Sequence, residues 1–342
     1  MLRASSVARS RGEGGAGFRV LFAVLAAFAV FAVLGLPVQA QTVGSAWPGK
    51  PIRFVNGFTP GSAADVVARL IAPRLSEGLG QTLLVENRPG AGSNIAAEGV
   101  ARSAADGYTL LLGSVANTIN ATLSKNLSFD FSRDFAPVGG IATLPNLLVV
   151  HPSVAARSVP ELVALTRGRS ELSYGSSGNG TAPHLSGELF NLMSGAKLVH
   201  VPYKGSPQAV TDLLAGRVQV MFSPASSVLQ HIKTGSLRAL ASTGLTRTAA
   251  AADLPTVSES GLNGFESSVW FGLMAPQATP QDIVLKLNRE LQRALASAEL
   301  KVQFAGQGID TMPGTPEQFA AWVRQETAKW ARVIQASGAK VD

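Results

Sequence analysis

Three short stretches carry residue types from which a binding site can be made. They are Phe58-Thr-Pro-Gly-Ser-Ala-Ala-Asp65, Gly113-Ser-Val-Ala-Asn-Thr118 and Gly175-Ser-Ser-Gly-Asn-Gly-Thr181. Each combines glycine with hydroxyl or amide side chains and stands between an apolar run and a helical pattern. The first N–H groups of a helix have no partner within it, so such a loop offers donors and the positive end of a dipole to an anion. No Arg or Lys lies inside any of the three. That favours a small carboxylate held by hydrogen bonds and water over a phosphate ester held by ion pairs. Glycine and serine also make ordinary turns and caps, so the weight rests on the recurrence at three places.

Other chemistries find no constellation. Gly44 to Lys50 has the glycine–lysine spacing of a phosphate-binding loop, but Pro51 stands where Ser or Thr must hold magnesium. There is no Gly-x-Ser-x-Gly elbow and no His-Glu-x-x-His, and the absence of cysteine removes thiolate chemistry. His200 lies in an apolar strand pattern and reads as core. His184, in the first turn of a helix after Thr181, either faces a ligand or bonds its own helix start. Asp65, also in a first turn, reads as a lock on its own loop rather than a catalytic group. No catalytic residue, metal site or cofactor is expected.

The elements that must position these loops alternate between strand and helix. Ile52–Val55, Thr82–Glu86 and Tyr108–Leu112 read as strands. Helices at Ser62–Leu79, closed by Gly80, and Asn94–Arg102 separate them, which implies a parallel sheet. A second unit starts after the strand Leu147–Val150, with a capping box at Ser158–Glu161. Strands are expected at Leu172–Tyr174, Leu198–Val201, Val218–Phe222 and Leu237–Leu240. Thr181 and Ser206-Pro207 open helices, another covers Val228–Lys233, and Phe265–Met274 is a long strand. Two final helices open at Thr279-Pro280 and Thr315-Pro316. The second carries a core-facing stripe of Phe319, Trp322, Val323, Trp330 and Val333. The expected architecture is two α/β lobes: 47–148 with 270–342, and an inserted 149–269. Ligands of open α/β sheets bind beyond the carboxyl ends of the strands, so all three loops would face the cleft.

The first 40 residues have the form of an export signal. Arg3, Arg9, Arg11 and Arg19 precede an uncharged apolar run from Val20 to Leu36, and Val38-Gln-Ala40 offers a cleavage site before Gln41. The run is shorter than a membrane span requires, which favours cleavage over an anchor. Loss of this segment leaves 302 residues and lowers the net charge from +7 to +4. The remaining basic residues are scattered, so no nucleic-acid surface is expected. An exported chain without disulfides needs a large core for stability.

Several spaced motifs together resemble the Bug family, the extracytoplasmic solute-binding proteins of tripartite tricarboxylate transporters. They include Asp65-Val-Val-Ala-Arg69, Val85-Glu-Asn-Arg-Pro-Gly-Ala-Gly92, Asp106-Gly-Tyr-Thr-Leu-Leu-Leu-Gly113, Tyr174-Gly-Ser-Ser-Gly-Asn-Gly-Thr181, Val201-Pro-Tyr-Lys-Gly205 and Trp270-Phe-Gly-Leu-Met-Ala-Pro276. The resemblance implies a periplasmic binding protein-like fold (type II), closing on a carboxylate and passing it to membrane transporter subunits. A sensor kinase is the alternative partner, a secreted hydrolase a weaker reading, and a monomer the expected state. The family's ligand-gripping positions carry over to Phe58, Thr59, Gly61, Ser62 and Ala63, to Ser114 and Asn117, and to Ser176, Ser177 and Thr181. Asp65, His184, Tyr203 and Ser223 complete the candidate set. Ser62-Ala-Ala64 stands where the family commonly has Gly-Ser-Thr, and Ser223 where it usually has Asp. The second change argues against an amino-acid ligand.

Overall fold

The computed structural model describes residues 47–167, 172–247 and 251–340. The export signal and its cleavage point lie outside the described residues. The first strands and helices are β1 (Ile52–Asn56), α1 (Ala63–Leu79), β2 (Leu83–Asn87), α2 (Asn94–Ala101), β3 (Thr109–Ser114) and α3 (Val115–Leu123). β1 lies between β2 and β3 and is parallel to both. Helix α1 forms where the sequence places Val67, Ile71 and Leu75 at four-residue spacing, and all three are buried. Ser62 caps it by accepting from the Asp65 N–H at 3.3 Å, and Gly80 ends it at φ 68°, a conformation that glycine adopts without strain. One expected loop is shorter than the composition suggests. Gly113 and Ser114 finish β3, and Val115 already begins α3.

The second part comprises α4 (Val159–Arg167), β5 (Ser173–Ser176), α5 (Ala182–Ser194), β6 (Val199–Pro202), α6 (Ser206–Leu214), β7 (Val220–Pro224), α7 (Ala225–Lys233) and β8 (Arg238–Ser242). At the expected capping box the Glu161 N–H does reach Ser158 Oγ, but the Glu161 carboxylate turns to the Arg157 N–H instead.

The largest departure from expectation is β4 (Phe135–Val150), of which only Leu147–Val150 was legible. Pro137, the Gly139-Gly140 pair and Pro145 break its alternation, and the ladder shifts register between Pro137 and Gly139 and between Gly140 and Ala142. Its first part runs antiparallel to β9 (Ser268–Pro276) as far as Pro145 against Ser268. From Asn146 onward it pairs with β7 and β8 instead. The sheet order is therefore β2-β1-β3-β9-β4-β7-β5-β6. Along the second part of β4, Leu148 and Val150 join one apolar cluster while Leu147 and Val149 join another, the two-residue period of a strand covered on both faces.

Where β4 changes partner, four fully buried polar residues tie the crossing segments together. Thr243 N–H donates to the Asn146 carbonyl and Asn146 N–H to Thr243 Oγ1, both at 2.9 Å. Ser267 N–H donates to the Thr243 carbonyl, also at 2.9 Å, and Ser186 Oγ accepts from Asn146 Nδ2 at 3.2 Å.

The C-terminal part holds three helices rather than two: α8 (Gln281–Ala296), α9 (Ala298–Gly306) and α10 (Pro316–Ser337), with a short β10 (Asp310–Thr311) paired to β4. Pro280 takes the N-cap place of α8 that Thr279 was expected to fill. Thr315 and Gln318 form the capping box of α10. Phe319, Val323 and Trp330 are buried as the stripe predicts, but Trp322 is 36% exposed. The indoles of Trp270 and Trp330 both donate to Glu326 Oε2 at 3.1 Å. Helix α10 packs against β4, α3 and α5, and so touches both halves of the chain.

Candidate functional site

Five helices begin at one chamber. Its wall includes Ser62, Ala63 and Ala64 at the start of α1, Ser114, Val115 and Ala116 at α3, Thr181, Ala182 and Pro183 at α5, Ser206 at α6 and Pro224 before α7. Val269 and Phe271 from β9, with Phe58 and Ser177, close it. The chamber volume is about 30 Å³, and none of the described residues that line it carries a charged side chain. The sequence produces this convergence because β1 and β3, parallel to each other, and β5 and β7, parallel to each other, each run at their carboxyl ends toward the start of a helix that borders the chamber. The first N–H groups of those helices cannot be satisfied within the helix, and their summed dipoles make the chamber electropositive without a cation.

Phe58 and Ser177 also line a second, outer cavity of about 690 Å³. Its wall adds Thr59, Ser93 and Asn94 on one side and Asn179, Tyr203 and Lys204 on the other. The two sides approach closely around it. Asn120 Nδ2 donates to the carbonyls of Gly92 and Gly180, each at 3.2 Å, and to that of Ala116 at 2.8 Å. Gly180, at φ 72°, lies so close to Asn120 Oδ1 that a Cβ there would overlap it. Gly205 meets the Thr59 side chain in the same way.

The loop 57–65 is fixed by an ionised carboxylate. Asp65 is buried, and its oxygens accept from Gly61 N–H at 2.9 Å, Arg69 Nε at 3.0 Å and Asn87 Nδ2 at 2.9 Å. Burial works against the charged form, but hydrogen bonds from Arg69, Gly61 and Asn87 outweigh it and hold the carboxyl below its ordinary range. Asn87 also donates to the Phe58 carbonyl at 3.0 Å, which anchors the tip of the loop.

The loop 175–181 is fixed by neutral groups. His184 stacks on His200 with centroids 4.1 Å apart, and His200 on Tyr174 at 4.9 Å. Gly180 N–H donates to His184 Nδ1 at 3.2 Å, so that nitrogen is unprotonated, and Ser176 Oγ shares a 2.6 Å hydrogen bond with His200 Nε2. Burial holds His184 down at about 4, and burial together with His184 holds His200 down at about 3. Thr181 does not use its hydroxyl as a cap but donates it to the Gly178 carbonyl at 2.6 Å.

The sequence-derived residues divide accordingly. Phe58, Ser62, Ala63, Ser114, Ser177 and Thr181 line the inner chamber, and Thr59 and Tyr203 line the outer cavity. Gly61, Asp65, Asn117, Ser176, His184 and Ser223 line neither. Gly61 gives its N–H to Asp65, and Asn117 Oδ1 accepts the Ser114 N–H at 2.9 Å. Ser176 and His184 belong to the stack behind the loop, and Ser223 is fully buried in β7. Sequence reasoning missed Ser206 and Pro224, although both stand at helix starts, a signal that could have found them. Val269 and Phe271 had no local signal, being alternate residues of an apolar strand.

The comparisons agree with this architecture. Residues 67–339 match the family model described as tripartite tricarboxylate transporter family receptor. Protein BugT of Bordetella pertussis is 37% identical over 324 residues, covering 94% of this chain and 98% of that protein. An R. palustris protein solved with adipate superposes with a TM-score of 0.83 at 38% identity, over 86% of this chain and 100% of that one. The periplasmic binding protein BugD gives 0.82 at 32% identity, over 86% of this chain and 99% of that one. MatC of Rhodopseudomonas palustris, with bound malate, gives 0.80 at 29% identity, over 84% and 100%. The chain therefore belongs to the tripartite tricarboxylate transporter family receptors, the Bug-type solute-binding proteins, and is a receptor rather than an enzyme.

Proposed function

We propose that this receptor captures a small carboxylate in the periplasm, between two lobes, and hands it to membrane transporter subunits. The observation that carries the reading is the convergence of five helix N-termini on one chamber with no charged side chain among its described lining residues. A carboxylate can accept from several orphan N–H groups and from the Ser62 and Ser177 hydroxyls, whereas a cation would meet only the positive ends of dipoles. The lobes hinge where β4 changes partner at Pro145-Asn146 and where the chain returns at Ser267-Ser268. Closure brings Asn120 to Gly180 and Thr59 to Gly205.

A thermal-shift screen of the mature protein against carboxylates, sugars and amines tests the ligand class. An acid that binds only the folded form raises Tm; a shift with sugars or amines and none with any acid would sink the reading. Ala63→Asp places a like charge against the ligand, and about a tenfold or greater loss of acid affinity is expected. Transfer to transporter subunits is tested by capture of the membrane partner with ligand-loaded receptor.

A further inference from the structure

We propose that Lys329 is a positioning residue for ligand capture, an ion-pair latch that holds the two lobes closed from outside both cavities. The inference rests on the two-lobe closure described above. Lys329 lies on α10. Its ammonium reaches Glu326 Oε1 on the same helix at 3.2 Å, and it also pairs with the Glu266 carboxylate near the end of the inserted segment 149–269. Among the described residues, Lys329–Glu266 is the one ion pair that joins this segment to the rest of the chain. Glu266 directly precedes Ser267, whose N–H donates to the Thr243 carbonyl at 2.9 Å, so its backbone is tied to the end of β8.

The other end of the latch reaches the chamber wall. Val269 and Phe271 of β9 line the chamber, and the fully buried Trp270 between them belongs to the opposite face of the strand. Its indole donates to Glu326 Oε2, which also accepts from Trp330, while Glu326 Oε1 holds Lys329. One buried carboxylate thus ties the strand behind the ligand to the cation that reaches the other lobe. The pair is made while the two halves touch around the site, with Asn120 donating to the Gly180 carbonyl and Thr59 against Gly205. The return of the chain at Ser267-Ser268 lies next to Glu266, so opening there swings the Glu266 carboxylate away from Lys329, and the pair favours the closed form. Both side chains are 24% exposed, which leaves the pair less screened by salt than one on the open surface. Neither residue lines a cavity, so both act on the ligand only through the closed fraction.

The test begins with distances. The chain has no cysteine, so Ile95→Cys and Val199→Cys, both exposed and one in each lobe, accept a single pair of spin labels on the mature protein. Ligand-free protein should show a closed, short-distance population that Glu266→Gln and Lys329→Met deplete by about threefold and Lys329→Arg retains. Glu266→Gln leaves the Glu326–Lys329 pair and both indole hydrogen bonds in place, so it should fold as wild type even if Lys329→Met does not. Calorimetry with succinate, adipate and benzoate as probe acids should then give the same loss of about threefold for every acid that binds. The double variant should lose no more than Lys329→Met alone. A distance distribution in Glu266→Gln identical to that of wild type would overturn the latch, and so would losses that differ from acid to acid. If none of the acids binds wild-type protein, the carboxylate reading fails, while the ligand-free distances still decide the latch.

Discussion

The loops 57–65 and 175–181 face one chamber and both lead into helix N-termini, yet they are held in place by opposite chemistry. Behind the first, an ionised Asp65 gathers Gly61, Arg69 and Asn87. Behind the second, neutral His184 stacks on neutral His200 and His200 on Tyr174, with His184 accepting from the Gly180 N–H and His200 sharing a hydrogen bond with Ser176 Oγ. Neither puts a charge into the chamber. The comparison shows two ways to hold orphan N–H groups toward a ligand: one depends on a carboxylate staying ionised, the other on imidazoles staying uncharged.

The largest effect is expected from Gly180→Val, which attacks the second loop where it meets Asn120. The side chain would occupy the space of Asn120 Oδ1 at a backbone conformation that valine rarely adopts. Acid affinity should fall by about a hundredfold or more while circular dichroism still reports a folded protein. Near wild-type affinity would show that the approach of Gly180 to Asn120 is irrelevant to binding.

Asp65→Ala attacks the first loop instead. It strips the acceptor from three donors, and a loss of about 2–4 kcal/mol in urea unfolding is expected at neutral pH. A change below about 0.5 kcal/mol would mean that the loop holds its shape without the carboxylate.

The most diagnostic effect is on pH dependence. A histidine held neutral by burial binds fewer protons when folded than when unfolded. Its contribution is intact above the unfolded value of about 6.5 and is lost as pH falls toward the folded value of about 4 for His184. Asp65, whose folded value is lowered, keeps its contribution down to about its ordinary unfolded value and loses it only below that. Between roughly pH 6.5 and 4, stability should therefore decline by up to about 1.4 kcal/mol per pH unit for each of His184 and His200. The decline should be shallower in His184→Gln. Identical slopes in the two proteins would remove the histidine stack from the acid response.

Much of the site was legible because its signals are local. Ser62 and Gly80 mark helix ends through their own hydroxyl and backbone chemistry, Thr181 stands at a helix start although its hydroxyl turns to Gly178, and the Gly/Ser-rich stretches fall where strands meet helices. The uncharged character of the chamber also followed from composition, since no Arg or Lys lies in those stretches. The error at Gly113–Thr118 was one of boundary. A strand joined to a helix with no intervening loop has the same residues as a short loop.

What the sequence by itself determined is the set of helix starts and the absence of Arg and Lys from the three stretches that lead into them, both of which depend on residues a few positions apart. Which helix starts share a chamber was decided by tertiary structure. β4 hid behind Pro137, Gly139-Gly140 and Pro145, and only its change of partner at Asn146 brings Pro224, Val269 and Phe271 to the site. The roles of Gly61, Asp65 and His184 were decided the same way. Each can bond a ligand or a neighbour, and the partner within reach depends on packing that no local pattern records.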